Sequence, residues 1–213
     1  LDIGSGSGHH VSMMKKFKCH AEGVDISPSM IKKSKNKYKD CKYKEGNALN
    51  NMLYPRNSFS TVTCFYFTIY YMEDKKKFIN NVYDWLMPGG YFVLHLVNRD
   101  KFDPILYTAD PLHIVSAQKY AKKRITNSLV KFKDFQYKAN FKLDKENDLA
   151  EFKEDLIDDK TKNVRQNVHN LYMVPQKKII SLAKQAGFIL KGKVNMVLTQ
   201  YEYQYLYLMY KPE

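Results

Sequence analysis

The sequence predicts an α/β fold in which a doubly wound, mostly parallel sheet is followed by an antiparallel β insertion. Up to about residue 97, strand-like segments alternate with helix-like segments, as in a parallel sheet covered by helices on both faces. Beyond that point the alternation breaks, and residues 130–173 contain two or three consecutive strand-like segments. Consecutive strands without helices between them indicate an antiparallel unit. A helix and two strands over residues 175–209 then resume the first pattern.

The first half of the chain is predicted from strand composition and helix-end signals. Five strands are expected, at Leu1–Ile3 and at about residues 21–26, 42–45, 59–67 and 91–97. Ser27-Pro28 begins a helix, because serine caps helix N-termini and proline fits the first turn. Other helices are expected at about residues 8–17 and 73–87, the second with an apolar stripe of Phe78, Val82, Trp85 and Leu86. Pro88-Gly89-Gly90 should end that helix and lead into the fifth strand.

The second half is predicted to contain the insertion and the closing elements. A helix is expected at about residues 110–124, and the strands after it show period-two alternation at Phe135, Tyr137, Ala139, Phe141 and Leu143. A later helix, at about residues 175–186, ends at Gly187, and strands follow at about residues 188–198 and 203–209. We therefore interpret residues 1–213 as one domain, made of residues 1–97, an insertion of residues 98–174 and closing residues 175–213.

The composition excludes several classes of protein. A hydrophobic share of 44% with 14% aromatic residues is ample for a packed core, and no run of 18 apolar residues could span a membrane. Three cysteines without a C-x-x-C spacing predict a reducing, cytoplasmic compartment and no disulfide framework or zinc site. The chain starts at Leu1 inside a strand, so we expect the beginning of that strand to be missing from this sequence.

The net charge of +13 leaves two interpretations open, a surface that binds a polyanion or an ordinary solvated surface. Of the 35 basic residues only four are arginines, and the ten lysines between Lys15 and Lys44 fall mostly on predicted solvated helix faces. We favour the solvated surface.

The strongest functional signal is the glycine-rich turn between the first strand and the first helix. Gly4, Gly6 and Gly8 let the backbone approach a ligand closely at the carboxyl edge of a parallel sheet, where nucleotide cofactors bind. A dinucleotide fingerprint requires a small residue three positions after Gly6, and His9 occupies that position. The phosphate-binding pattern G-x-x-x-x-G-K-[ST] is also absent from the sequence.

The spacing D-x-G-x-G-x-G, starting at Asp2, resembles the first motif of the class I methyltransferases that use S-adenosylmethionine (SAM). Four further segments resemble the same family in the same order: Gly23–Ile31, Gly46-Asn47-Ala48, residues 55–62 and Leu86–Tyr91. The resemblance is to the broad group of small-molecule methyltransferases, and it covers residues 1–97 well and residues 187–211 loosely. It implies a Rossmann-like sheet of seven strands and SAM as the cofactor.

The resemblance also implies a set of cofactor-binding residues. Asp2 suits the ammonium at the amino-acid end of SAM, and Asp25, at the end of the second strand, suits the two ribose hydroxyls. Asn47 stands where the family usually has an aspartate that contacts the adenine amino group, so its amide oxygen is expected to make that contact without a charge. The predicted set comprises Asp2, Gly4, Ser5, Gly6, Gly8, Asp25, Ile26, Met30, Gly46, Asn47, Ala48, Cys64 and Phe65.

The catalytic residues are less marked, because the SAM sulfonium carries its own leaving group and the protein mainly orients the reactants. His95, in the fifth strand, and His169, in the insertion, are predicted as a general base or an acceptor anchor, with a hydrogen-bonded structural histidine as the alternative for each. Tyr70 and Tyr71 follow the fourth strand and are predicted to line the acceptor pocket, where their rings could hold a cationic amine. No spacing of His, Cys or carboxylate residues indicates a metal site.

The sequence therefore predicts a SAM-dependent methyltransferase that acts on N or O of a small soluble acceptor, with the insertion as a cap over that acceptor. Two alternatives stay open. The first is an RNA or protein substrate attracted by the basic surface, and the second is a module that binds SAM without turnover.

Overall fold

The structure is a computed structural model that describes residues 1–103, 122–199 and 201–213. Its described residues form two compact units. The larger unit comprises Leu1–Leu96, Lys177–Val194 and Leu206–Glu213. The smaller unit comprises Val97–Gln176 and Asn195–Tyr205.

The larger unit is built on a seven-stranded sheet. Its strands are β1 (Asp2–Ile3), β2 (Glu22–Asp25), β3 (Lys42–Glu45), β4 (Phe59–Cys64), β5 (Leu86–Val97), β10 (Ile189–Asn195) and β11 (Gln204–Tyr210), and their order across the sheet is β10-β11-β5-β4-β1-β2-β3. Pairs β1–β2, β2–β3, β1–β4 and β4–β5 are parallel. The predicted seven-stranded, mostly parallel sheet is thus confirmed.

The strand order creates a switch point between β1 and β4. The chain moves from β1 through β2 to β3 on one side, and it then returns to place β4 on the other side of β1. Ligands of open α/β sheets bind in the crevice outside the carboxyl ends of the strands at such a point. Residues that follow β1 and β4 are therefore the ones that the fold brings to a binding site.

The helices of the larger unit start where the sequence carries capping signals. They are α1 (His9–Lys16), α2 (Pro28–Lys37), α3 (Thr68–Tyr71), α4 (Lys75–Trp85) and α5 (Gln176–Gln185). The Ser27 hydroxyl accepts the Met30 N–H at the start of α2, as predicted, and the Asp74 carboxylate accepts the Lys77 N–H at the start of α4. The predicted stripe of α4 is fully buried.

Two boundaries differ from the prediction. The strand expected over residues 59–67 ends at Cys64, because the chain turns there into the short helix α3. Pro88-Gly89-Gly90 does not separate helix from strand, since α4 ends at Trp85 and β5 begins at Leu86. The three residues instead lie in an irregular stretch of β5, where the pairing shifts from Phe59–Leu86 to Thr61–Tyr91.

The smaller unit contains a four-stranded antiparallel sheet, one strand more than the two or three expected. Its strands are β6 (Asn127–Lys131), β7 (Phe135–Asp144), β8 (Leu149–Asp158) and β9 (Val164–Tyr172), paired in chain order. The alternation of β7 is confirmed, because Tyr137, Ala139 and Phe141 are buried. Of the helix predicted over residues 110–124, residues 110–121 lie outside the described residues. Residues 122–124 are described and are not helical.

The described residues contain neither a helix that could span a membrane nor a group of side chains that could hold a metal ion. None of the described helices has the length and apolar character needed to cross a membrane. In the same part of the chain, no group of three or more His, Cys, Asp or Glu side chains is placed to hold a metal ion.

Candidate functional site

The loop that follows β1 has the backbone conformation that its glycines allow. Gly4, Gly6 and Gly8 have φ angles of +70°, +53° and +85°, which residues with a Cβ rarely adopt. A Cβ on Gly4 would lie 2.4 Å from the Thr68 side chain, and one on Gly8 would lie 2.4 Å from the Tyr43 hydroxyl. A Cβ on Gly6 would meet no atom within 4 Å. Packing therefore fixes two of the three glycines, and the third borders open space.

Tyr43 supports this loop from β3. Its side chain is buried, and its hydroxyl donates a hydrogen bond of 2.9 Å to the Gly8 carbonyl. Burial raises the pKa of this hydroxyl well above its usual value, so it stays protonated and remains a donor. Nothing in the sequence around Tyr43 indicates this role, because one tyrosine in a short strand gives no sign of a contact 35 residues away.

Asp25 ties the glycine loop to the end of β2. One carboxylate oxygen accepts the Gly6 N–H at 2.8 Å, and the other accepts the Ser27 N–H at 2.9 Å. A carboxylate has about four acceptor positions, so each oxygen can accept one more bond. Asp25 is half-buried, and its remaining acceptor positions are those that the resemblance assigns to the ribose hydroxyls.

Asp2 places a buried negative charge beneath the loop. The residue is 1% exposed, and its Oδ1 accepts a bond of 2.7 Å from the Thr63 hydroxyl. Its Oδ2 has no hydrogen-bond partner among the described residues, and His10 Nδ1 lies 3.9 Å from it. Burial raises the pKa of Asp2, although the Thr63 hydrogen bond and His10 act in the opposite direction. The neighbouring Ser5 hydroxyl is also buried without a partner in the described chain.

The predicted adenine end of the site lies beyond β2 and β3. Ile26 and Met30 are exposed apolar side chains, at 67% and 42%, after the end of β2. Asn47 is exposed, and its Oδ1 accepts the Leu49 N–H at 2.9 Å, which leaves one further acceptor position on that oxygen. Gly46 is half-buried and Ala48 is buried.

The backbone at Ala48 is held by a side chain that was not predicted as part of the site. The buried Asn81 side chain, on α4, donates a bond of 2.9 Å to the Ala48 carbonyl. This bond fixes the turn after β3 from a helix 33 residues further along the chain. An asparagine within an amphipathic helix could have indicated such a polar contact, since asparagine is unfavourable in helix interiors.

Two of the predicted site residues at and after β4 are buried. Cys64 has no exposed surface, so its side chain cannot contact a cofactor, whereas Phe65 is half-buried. Tyr70 is also fully buried, in α3, and its ring therefore cannot line a pocket as predicted. The aromatic residues that are exposed after β4 are Tyr66, at 46%, and Tyr71, at 50%.

His95 is buried and fixes the backbone after β4. It is 1% exposed, and its Nδ1 accepts the Tyr66 N–H at 2.9 Å. An accepting Nδ1 carries the lone pair, so the neutral ring has its proton on Nε2. This geometry favours the structural interpretation of His95 that the sequence left open beside the catalytic one.

His169 belongs to a triad of side chains in the smaller unit that are linked by hydrogen bonds. Its Nε2 lies 3.0 Å from Glu154 Oε2 on β8, and the other oxygen of Glu154 accepts a bond from the Tyr137 hydroxyl on β7. Burial and the Glu154 contact raise the pKa of Tyr137, so this tyrosine remains a donor. With Nε2–H donating to Glu154, the neutral His169 ring carries its lone pair on Nδ1. The described residues thus bring His169 together with a carboxylate that was not predicted.

The residues of the larger unit fit the cofactor that the resemblance implies. Asp25 would hold the ribose hydroxyls, and Ile26 and Met30 would offer apolar surface to the cofactor. The buried Asp2 carboxyl oxygen, which has no partner among the described residues, would in its ionised form favour a cationic ligand such as the amino-acid end of SAM. No described residue of the loop carries the positive charge that a phosphate ligand would favour.

Comparison with known proteins gives one match to a family model. Residues 1–94 match the family model described as a methyltransferase domain. No functionally characterised protein matches the chain in sequence.

Several solved structures have the same fold at low sequence identity. A SAM-dependent methyltransferase from Clostridium acetobutylicum superposes with a TM-score of 0.77 at 16% identity, covering 100% of this chain and 83% of that one. A SAM-bound amino pentose methyltransferase from Micromonospora echinaspora gives 0.70 at 17% identity, covering 99% and 82%. A sugar N-methyltransferase from Streptoalloteichus gives 0.68 at 18% identity, covering 100% and 79%. Residues 1–94 thus match a methyltransferase domain family, and the described chain has the fold of these SAM-dependent methyltransferases.

Proposed function

We propose that this protein transfers the methyl group of SAM to a nitrogen or oxygen atom of a small soluble acceptor. The observation that carries the proposal is the site at the switch point, where the Asp25 carboxylate holds the Gly6 N–H and keeps acceptor positions for a ribose. A buried carboxylate oxygen of Asp2 lies beneath the same loop. These groups suit a nucleoside with a cationic tail.

The chemistry asks little of the protein beyond orientation. SAM supplies an electrophilic methyl group on a positively charged sulfur. The glycine loop, Asp25 and the turn at Asn47 would hold the nucleoside end, so that the acceptor atom need only be placed in line with the methyl group. A proton acceptor is needed only where the acceptor atom must lose a proton to become nucleophilic.

We assign the acceptor-side chemistry to the inserted residues 98–174, which we propose act as the substrate cap. His169 is our candidate for the proton acceptor, because the Glu154 carboxylate would stabilise the imidazolium that forms. Both side chains are partly exposed, at 29% for His169 and 15% for Glu154, so an acceptor group can reach them from solvent.

The preference for a small acceptor is supported by the structural neighbours. Two of them are described as an amino pentose methyltransferase and a sugar N-methyltransferase. Amines are accordingly the first acceptor class to test, and hydroxyl compounds are the second.

The decisive experiment is a screen for S-adenosylhomocysteine release with purified protein and SAM. The acceptor panel contains amino sugars, other small amines, small hydroxyl compounds, RNA and unfolded protein, and Asp25→Ala serves as the variant with an impaired cofactor site. We expect release with a small amine or hydroxyl compound. Release only with RNA, and a rate that falls steeply with salt, would establish the polyanion alternative instead. Tight SAM binding without release in any acceptor class would show a module without turnover.

A further inference from the structure

Tyr66 lies at the switch point of the sheet in an unusual conformation. It is the second residue after β4, and β4 pairs with β1 at Cys64 and Ile3, so Tyr66 emerges beside the glycine loop that follows β1. Its φ angle is +52°, in the left-handed region that a bulky aromatic residue rarely adopts. Such strain persists only where neighbouring groups hold it, and it is concentrated at functional sites.

Two histidines hold this tyrosine in place. The buried His95 accepts the Tyr66 N–H at 2.9 Å, and the two rings also meet edge to face with centroids 5.9 Å apart. The His10 ring, from the first turn of α1, stacks on the Tyr66 ring at 5.7 Å with 26° between the planes. His10 in turn meets the Phe65 ring at 5.0 Å.

The ring held in this way is not simply part of the core. Tyr66 keeps 46% of its accessible surface, although the His10 and His95 rings both contact its ring. An exposed aromatic ring is complementary to a cation. The His10 ring that stacks on Tyr66 also lies near a buried carboxylate. The carboxylate is that of Asp2, whose Oδ2 lies 3.9 Å from His10 Nδ1.

We propose that Tyr66 recognises the positive charge on the SAM sulfur, and that His95 is the residue that positions Tyr66 for this contact. An aromatic ring attracts the sulfonium of SAM but gains no such attraction from the neutral thioether of S-adenosylhomocysteine. Tyr66 therefore makes the protein bind its reactant more tightly than its product, which favours exchange of product for SAM after each turnover. The proposal rests on SAM occupying the crevice at the switch point.

Binding measurements test the proposal without an acceptor. SAM and S-adenosylhomocysteine are titrated calorimetrically into the wild type, Tyr66→Phe and Tyr66→Leu. Tyr66→Phe should keep the wild-type ratio of the two affinities, since phenylalanine retains the aromatic face. Tyr66→Leu should reduce the preference for SAM by about 2- to 30-fold, through weaker SAM binding at unchanged affinity for S-adenosylhomocysteine.

A second pair of variants tests the role of His95. His95→Asn keeps an acceptor for the Tyr66 N–H and should keep the affinity ratio, whereas His95→Leu should reduce the ratio as Tyr66→Leu does. If Tyr66→Leu does not fold, Tyr66→Gly replaces it, because glycine suits the left-handed backbone and still removes the ring.

Two results would overturn the proposal, and they are distinguishable. Weakening of both ligands to the same extent, which leaves the ratio unchanged, in Tyr66→Leu or in the Tyr66→Gly variant that replaces it would show that the ring only packs against the loop. A wild-type protein that binds neither ligand would overturn the assignment of the SAM site, and the role of Tyr66 would fail with it.

Discussion

Asp25→Ala is the most direct test of the cofactor site. In the structure, the carboxylate accepts bonds from two backbone N–H groups, of Gly6 and Ser27, and keeps acceptor positions for two ribose hydroxyls. A hydrogen bond to a charged group contributes a net of about 1.5–3 kcal/mol. If the two ribose bonds together contribute that much, SAM should bind about 10- to 150-fold more weakly to the variant.

The same substitution should also lower stability, since it leaves two backbone N–H groups without an acceptor. We expect a loss of about 1–3 kcal/mol in the free energy of unfolding. For a chain of this size, each kcal/mol corresponds to about 2–4 °C in Tm. The affinity must therefore be measured well below the Tm of the variant.

A matched ligand pair separates the ribose contacts from the effect on the loop. Calorimetry is performed with S-adenosylhomocysteine and with its 2′,3′-dideoxy analogue, on the wild type and on Asp25→Ala. The variant should lose affinity for the first ligand and much less for the second, because the second has no hydroxyls to lose. Asp144→Ala removes a carboxylate that accepts backbone N–H groups in the β7–β8 turn, and it should leave both affinities unchanged. Equal losses for the two ligands, or a Kd within twofold of the wild type, would refute the ribose assignment.

Two further predictions concern the loop. Asp2→Asn should weaken SAM binding by about 1–3 kcal/mol. In the wild type, SAM affinity should fall as the pH drops through the raised pKa of Asp2, because SAM favours the ionised carboxylate. Asp2→Asn should not show this fall. Without ligand, the folded wild type holds the Asp2 proton more tightly than the unfolded chain does. Its free energy of unfolding should therefore fall as the pH rises from 3.8 through that raised pKa. Thermal unfolding of Asp2→Asn should show no such fall. Gly8→Ala should abolish SAM binding, since its Cβ would lie 2.4 Å from the Tyr43 hydroxyl. Gly89→Ala is the control, because Gly89 has a φ of +76° but no atom within 4 Å of the added Cβ. It should lose about 1–2 kcal/mol of stability and keep its affinity for SAM.

The sequence was sufficient for features that depend on spacing along the chain. The glycine loop, the position of Asp25 at a strand end and the Ser27 cap each rest on residues within one or two turns of each other. The mostly parallel sheet also followed, since alternating strands and helices leave few other arrangements.

Features that depend on long-range register could not be predicted. The pairing of His169 with Glu154 requires the antiparallel register of β8 and β9, which places Phe152 opposite His169 and Glu154 two positions further along β8. Likewise, Tyr70 was predicted to line the acceptor pocket, but the chain leaves β4 at Cys64 and buries Tyr70 in α3. The left-handed conformation of Tyr66 has no signal in its own sequence, since the group that holds it is His95, 29 residues away.

The insertion gives the last prediction. Strands β6–β9 form a sheet of their own, so replacing residues 127–172 by a short linker breaks no pairing of the seven-stranded sheet. The change would uncover Phe102, whose ring packs against Phe141 at 5.3 Å, and the trimmed chain therefore also carries Phe102→Ser. Because Asp2, Asp25 and the glycine loop lie outside the insertion, SAM affinity should change by less than about tenfold, or 1.4 kcal/mol. Methyl transfer to the acceptor found in the screen should be lost.

Point variants show whether this loss reflects chemistry or only the removal of a sheet. His169→Ala should keep SAM affinity and lower turnover, as a milder form of the same separation. Glu154→Gln retains the size of the side chain but removes the charge that would stabilise a protonated His169, so it should lower turnover in the same direction. If the triad with Tyr137 only stiffens the sheet, both variants will unfold at lower temperature while the turnover per folded molecule stays that of the wild type. A trimmed protein that folds and methylates the same acceptor at a similar rate would show that acceptor choice resides in the seven-stranded unit, because nothing of β6–β9 would then be needed for the reaction.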